Sequence, residues 1–189
     1  MILFSTIRVA IRAALFIAAA LYFAWIFDQQ IPFAGIKKIT YTFSELSGPV
    51  SEPYPRDRTQ RVGIARDGSV PVRMVEDPLY FDVRSRVDYE SAEISLYFRN
   101  ESNKQARLGM RVFGDTWQTV IPPGQTIEAA ASAWDAIHAR FDLRSIARRQ
   151  NKYTFLISAP GLRYQNDNGE SLLLSHADIR LIRKPLFGK

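Results

Sequence analysis

The sequence predicts an all-β fold, an antiparallel β-sandwich, preceded by one N-terminal transmembrane helix. Three observations carry this expectation: an apolar run near the start flanked by arginines, two-residue alternation of apolar and polar side chains over most of the remainder, and turn-forming residues that separate the alternating segments at short intervals. At 189 residues and 21.6 kDa the chain has room for one folded domain and an appendage. Hydrophobic residues at 47% and charged residues at 23% exclude wholesale disorder. Cysteine is absent and His138 and His176 are the only histidines, which excludes disulfide scaffolds, thiolate or histidine-rich metal sites and cysteine nucleophiles.

Ala13 to Phe27 (AALFIAAALYFAWIF) is an unbroken apolar and aromatic run, preceded by a mostly apolar stretch that holds Arg8 and Arg12. As one helix, residues 2–27 would measure about 39 Å, enough for a hydrocarbon core of about 30 Å. Arg8 and Arg12 lie one helical turn apart and can both reach the same headgroup layer, while Tyr22, Trp25 and Phe27 fall where an interfacial aromatic belt would lie. The basic flank is N-terminal, so the positive-inside rule puts the amino end in the cytoplasm and the rest of the chain beyond the cytoplasmic membrane. An uncleaved single-pass anchor in the lipid bilayer is favoured over a cleaved signal peptide, because the small-residue cluster Ala18-Ala19-Ala20 lies inside the apolar run. A helix buried in a soluble core is the third reading. Lys and Arg exceed Asp and Glu by 25 to 19, and without Arg8 and Arg12 the remaining excess is modest and interspersed, unlike a nucleic-acid footprint.

Beyond the anchor, Ile39, Tyr41 and Phe43 alternate with polar residues as in a half-buried strand. Ser44 to Gln60 (SELSGPVSEPYPRDRTQ) contains Pro49, Pro53 and Pro55 and is expected to be an extended loop without ladder pairing. Alternation then marks strands over Leu79 to Arg84, Glu93 to Arg99, Ala106 to Val112, Ile137 to Arg144 and Lys152 to Ser158. Turns are expected at Asn100 to Lys104, Phe113-Gly114-Asp115, Pro122-Pro123-Gly124 and Pro160-Gly161. Asp167-Asn168-Gly169 signals a hairpin joining Leu162 to Gln165 with Glu170 to Leu174, and Ala177 to Lys184 forms a last strand. Amphipathic strands in this number must pack on a second sheet, which makes the sandwich one of jelly-roll type. The organisation expected is an anchor over 1–30, a first strand and Pro-rich loop over 31–60, and the sandwich over 61–189.

No catalytic constellation is evident. Ser175, His176 and Asp178 are neighbours on one strand, which supplies neither a nucleophile elbow nor an oxyanion hole, and His176 with Asp178 lacks further metal ligands. Phosphate-loop and dinucleotide fingerprints are absent. Asp82, Asp88, Glu90 and Glu93 read as surface charge. Asn100-Glu101-Ser102 matches a glycosylation acceptor, and Arg140, Arg144, Arg148, Arg149 and Lys152 form a basic stretch. No cofactor and no metal is implied.

The aromatics that fall outside the alternating core set are the candidate ligand contacts, because aromatic rings on a sheet accept the apolar C–H faces of sugars. Tyr80, Tyr97, Trp117, Trp134 and Tyr164 are the candidate binding residues, with Tyr54 in the same class. The succession PLYFDVR, AEISLYFRN, FDL, NKYTFLISAPGL and HADIRLIRKPL, spanning roughly residues 70–184, resembles the strand order of jelly-roll carbohydrate-binding and galactose-binding-like modules. That resemblance implies a β-sandwich that binds glycan, sometimes with a structural calcium. The chain departs from it in its anchor and in lacking a recognisable calcium loop. The functional expectation is a membrane-anchored binding or assembly module outside the cytoplasm, with cell-envelope glycan or other envelope proteins as candidate partners. A structural subunit of a larger membrane complex is the alternative, and an envelope hydrolase ranks third.

Overall fold

The computed structural model describes residues 11–24, 35–45, 48–64, 70–102, 104–113, 116–120, 134–144, 146, 151–163 and 170–184. The chain divides into two compact units, residues 1–36 with 185–189, and Lys37–Lys184. In the first, residues 11–24 are helical and solvent-exposed throughout. At about 1.5 Å per residue they span about 21 Å, short of the length predicted for residues 2–27. Among the described residues no helix is long and apolar enough to cross a membrane. Arg12 and Tyr22 lie on this helix; Arg8 and Trp25 lie outside the described residues.

The second unit is a pair of antiparallel sheets, as the alternation requires. One sheet runs β2 (Thr59–Arg61), β3 (Val72–Met74), β10 (Leu172–Ile182), β5 (Ser91–Asn100), β8 (Asp135–Asp142), with β1 (Ile36–Thr42) also pairing β10. The other runs β4 (Leu79–Arg84), β9 (Lys152–Ser158), β6 (Arg107–Phe113), β7 (Thr116–Val120). The predicted inward sets are the core: Tyr41, Leu79, Phe81, Val83, Leu96, Phe98, Leu108, Met110, Ile137, Phe141, Phe155 and Ile157 are each fully buried.

An aromatic seam crosses between the sheets. Tyr41 stacks on Phe81 at 5.9 Å and Phe43 meets Phe81 edge-on at 6.0 Å. Phe81 stacks on Phe155 at 5.4 Å, and Phe155 packs on Phe141 at 6.0 Å. Each such pair contributes about 0.5–1.5 kcal/mol beyond its area burial. The Pro160-Gly161 turn forms as expected, with the Leu162 amide donating to the Ala159 carbonyl at 2.9 Å and Gly161 at a φ of 89° that only glycine adopts without strain.

Two expectations are corrected. Ser44 to Gln60 does pair: its prolines lack N–H groups, but Ser51 and Tyr54 keep theirs and face β4. The Ser51 amide donates to the Asp82 carbonyl at 2.9 Å, and Tyr54 and Tyr80 exchange backbone bonds at 2.8 and 2.7 Å. The segment therefore lines the free edge of the four-stranded sheet. The second correction concerns Glu170 to Leu174 and Ala177 to Lys184, which belong to one strand, β10. Its register slips between Leu174 and His176, so Leu172 and Leu174 face the core before the slip and Ala177, Ile179 and Leu181 after it. A bulge at Ser175 reverses the parity, which in sequence resembles a break. Leu172 to Leu174 is paired on both edges, by β3 and β5. The Asp167-Asn168-Gly169 turn lies outside the described residues.

Phe81 meets Tyr41 and Phe43 across the sandwich and Phe155 within its own sheet, so Phe81→Ala is expected to destabilise the protein by about 3–5 kcal/mol in urea unfolding. A loss under about 1 kcal/mol would contradict the seam's role.

Candidate functional site

Since Leu79, Phe81 and Val83 point inward, Tyr80, Asp82 and Arg84 face out from β4. The register carries this outer face across the sheet. Leu156, Thr154 and Lys152 of β9 stand opposite those three residues, Gly109 of β6 is opposite Leu156, and β7 places Thr119 opposite Gly109 and Trp117 opposite Arg111.

Tyr80 and Trp117 start three strand spacings apart, about 14 Å, yet their rings stack with centroids 5.2 Å apart and planes 28° apart. Both side chains lean over the middle of the sheet. Gly109, between Leu156 and Thr119 in register, leaves no room for a side chain: a Cβ there would come within 3.1 Å of Thr119 Cγ2 and 3.2 Å of both Leu156 Cδ2 and the Gln118 carbonyl oxygen. Tyr54, on the edge segment, continues the row, its ring 5.6 Å from Tyr80 and tilted by 34°. At these spacings the rings overlap only in part, leaving a stepped aromatic strip across the strands.

Asp82 holds one end of the strip. It is 7% exposed although it sits on an outward position. Its Oδ1 accepts from the Tyr54 hydroxyl at 3.0 Å and the Thr154 hydroxyl at 2.7 Å, and Lys152 Nζ lies 3.3 Å from Oδ2. Its backbone N–H donates to Ser51 Oγ at 2.9 Å. A buried carboxylate is tolerated when its oxygens are satisfied in this way. The Tyr54 phenol is pushed up to about 12, mainly by burial and then by the charge and hydrogen bond of Asp82. The reading of Asp82 as surface charge is thus overturned: the Tyr54 segment covers it.

The candidate binding residues divide. Tyr80 and Trp117 come together. Tyr97 faces out from the other sheet, where it stacks on His176 at 4.3 Å and 13°. Trp134, just before β8, lies 6.0 Å from the Arg99 guanidinium, also on that sheet. Tyr164 lies outside the described residues. The histidines are engaged locally: His138 Nδ1 with the Ser95 hydroxyl at 2.8 Å, His176 Nδ1 with the Ser175 hydroxyl at 3.0 Å. Asp178, two residues from His176, accepts from the Thr40 hydroxyl at 2.7 Å. Among the described residues no group of three or more His, Asp or Glu side chains could hold a metal ion.

Glu93 is bracketed by Arg180 at 3.3 Å and Arg140 at 4.0 Å on the six-stranded sheet, so it and Asp82 lie on opposite faces of the sandwich. The Asn100 side-chain amide already donates to the Lys104 carbonyl at 2.9 Å, and its oxygen accepts from the Ser102 amide and hydroxyl at 3.0 and 2.8 Å. A separate cleft of about 400 Å³ opens beside Phe43, Glu52, Thr59 and Val72, where Glu52 is paired with Arg56.

No protein-family model matches this sequence, and no curated protein matches it. Solved structures do resemble it in fold. The Clostridium thermocellum endo-1,4-β-D-xylanase 10B CBM22-1–GH10 modules, complexed with xylohexaose, align at a TM-score of 0.50 and 10% identity over 80% of this chain and 29% of that one. The CBM22-2 xylan-binding domain of Paenibacillus barcinonensis Xyn10C gives 0.48 and 11%, over 76% and 98%. The insecticidal crystal protein Cry2Aa gives 0.47 and 12%, over 80% and 22%. At a TM-score of 0.50 and 10% identity, the resemblance to the xylanase 10B carbohydrate-binding modules is one of fold.

Because the folded-state value of Tyr54 is raised from 10.0 to about 12, its contribution to stability is fully present below pH 10 and is lost as pH rises toward 12. Tyr54→Phe is expected to lose less stability than wild type across that window. Asp82→Asn should move the Tyr54 titration, followed by tyrosine difference absorbance, part of the way back toward 10, since burial remains. An unmoved midpoint would contradict the contact.

Proposed function

We propose that this chain is a carbohydrate-binding module carried on a membrane anchor, and that the outer face of its four-stranded sheet is the binding surface. The observation that carries this reading is the strip formed by Tyr54, Tyr80 and Trp117 beside Thr154, Asp82 and Lys152. Aromatic rings supply apolar contact for the C–H face of a pyranose, and fixed hydroxyl and ammonium groups beside them can orient its hydroxyls. A fold shared with modules crystallised with xylohexaose supports the same reading.

Support for the anchor comes from the chain's own apolar surface. Leu15, Phe16 and Leu21 are 66%, 80% and 65% exposed along residues 11–24, and helical side chains this apolar favour lipid over water. The basic N-terminal flank orients the sandwich away from the cytoplasm.

Titrating the full chain in neutral detergent with soluble xylan and with acidic and other neutral polysaccharides, followed by tryptophan fluorescence, tests the binding surface. Trp117→Ala is expected to weaken binding by about tenfold or more, whereas Tyr97→Ala leaves it unchanged. Binding that ignores Trp117 but falls with Tyr97 would place the surface on the wrong sheet, and absence of glycan binding would favour a structural subunit. In vesicle flotation the full chain should rise with lipid and a chain lacking residues 1–34 should not. Equal behaviour of the two would remove the anchor.

A further inference from the structure

One end of the sandwich carries its positive charge, and it is the end at which the chain enters and leaves. The Phe43 amide donates to the Ser175 carbonyl and the Thr40 hydroxyl to Asp178, so β1 runs antiparallel to β10 and brings Lys37 and Lys38 level with Arg180 to Ile182. Ile182 stands opposite Ser91, which stands opposite Asp142, and residues 85–90 join β4 to β5 at the same end. Residues 37–38, 84–93, 140–144 and 180–184 together hold nine Lys or Arg against four Asp or Glu. The other described residues between Lys37 and Lys184 hold ten of each.

Ion pairs within this end do not cancel the excess. Glu93 is shared by Arg140 and Arg180, Asp142 meets Arg144, and Glu90 meets Lys184, yet the cations still outnumber the carboxylates about two to one. Lys37, Lys38 and Arg84 have no carboxylate partner among the described residues. Lys38 and Arg84 are exposed, while Lys37 is half-buried on the side of β1 that also presents Ile39 and Tyr41. A half-buried ammonium with no carboxylate beside it gains from an anion supplied outside the chain. The connectivity says where that anion would come from. The polypeptide arriving at Lys37 is the one that carries residues 11–24, whose apolar side chains are exposed. From residue 24 to Lys37 the backbone can reach at most about 45 Å, so anchoring the first segment in a bilayer keeps this basic end close to the headgroups. Lys and Arg held there are attracted to anionic lipid within about a Debye length.

We propose that this end of the sandwich docks on anionic phospholipid headgroups, with Lys37, Lys38, Arg84 and Lys184 among its contacts. The inference rests on the membrane-anchor reading and adds a second, electrostatic contact to it. Docking by the ends of the strands leaves the outer faces of both sheets open to a ligand.

The test places the full chain in nanodiscs of phosphatidylcholine alone and of phosphatidylcholine with about one-third phosphatidylglycerol, each carrying a gadolinium-chelate headgroup lipid, and measures amide relaxation. In the anionic discs the amides of residues 37–38, 84–90, 142–144 and 180–184 are expected to relax about threefold or more faster than in the neutral ones. Asn100, at the other end of β5, should not change, and the difference should vanish in about 0.5 M salt. Lys38 and Lys184 are both exposed, and Lys38→Glu combined with Lys184→Glu should weaken docking by about tenfold or more, whereas Arg61→Glu leaves it unchanged. A chain that enters neither disc overturns the anchor and the docking together. A chain that enters both and relaxes alike in them overturns the docking and keeps the anchor, and an enhancement that survives the double variant overturns it as well. If these amides shift on adding soluble dextran sulfate and keep their neutral-disc relaxation in anionic discs, the occupant is a free polyanion and the proposal falls.

Discussion

The contact between Phe81 and Phe155, supported by Tyr41 and Phe43 on one side and Phe141 on the other, is the constraint on which the rest of the structure depends. Phe81 and Phe155 face each other across neighbouring strands of the four-stranded sheet, their contacts with Tyr41, Phe43 and Phe141 join that sheet to the six-stranded one, and together these fix the phase of β4 and β9. In a strand the side-chain period is two, so locking Phe81 inward sends Tyr80 and Asp82 outward, and locking Phe155 inward does the same for Thr154 and Leu156. A slip of one residue in β4 would turn Tyr80 and Asp82 toward the core, and one in β9 would do the same to Thr154 and Leu156.

The strip then assembles through a second tier of weaker contacts. The Pro-rich segment adds to the edge of β4 with the few N–H groups its prolines leave, which brings Tyr54 over Asp82. Gly109 keeps the centre of the face free of a side chain, and Trp117 reaches across from β7. The result is an outward face with apolar rings, a buried carboxylate that aligns one of them, and guanidinium and ammonium groups around them. On the opposite face Arg99 and Arg180 pair with glutamates, and the half-buried Tyr97 stacks on His176.

Much of this was legible in the alternation of apolar residues, because an inward or outward side is a local property. Leu79, Phe81 and Val83 against Tyr80, Asp82 and Arg84 can be read without the fold. What alternation cannot carry is which of two sheets an outward residue belongs to. Tyr80 and Tyr97 have the same local signal and end on opposite faces. Parity also misleads where a bulge intervenes, as at Ser175, where one strand looks like two. Burial of Asp82 depends on a segment thirty residues upstream pairing with its strand, and three prolines in that segment argued against pairing of any kind. The signal that remained was the presence of Ser51 and Tyr54 as spaced donors between those prolines.

The most direct measurement is amide chemical-shift mapping of the full chain in micelles on addition of a xylo-oligosaccharide. Shifts confined to β4, β6, β7, β9 and residues 51–54 are predicted. Shifts concentrated on β5, β8 and β10, with the Trp117 indole unmoved, would contradict the assignment of the ligand surface.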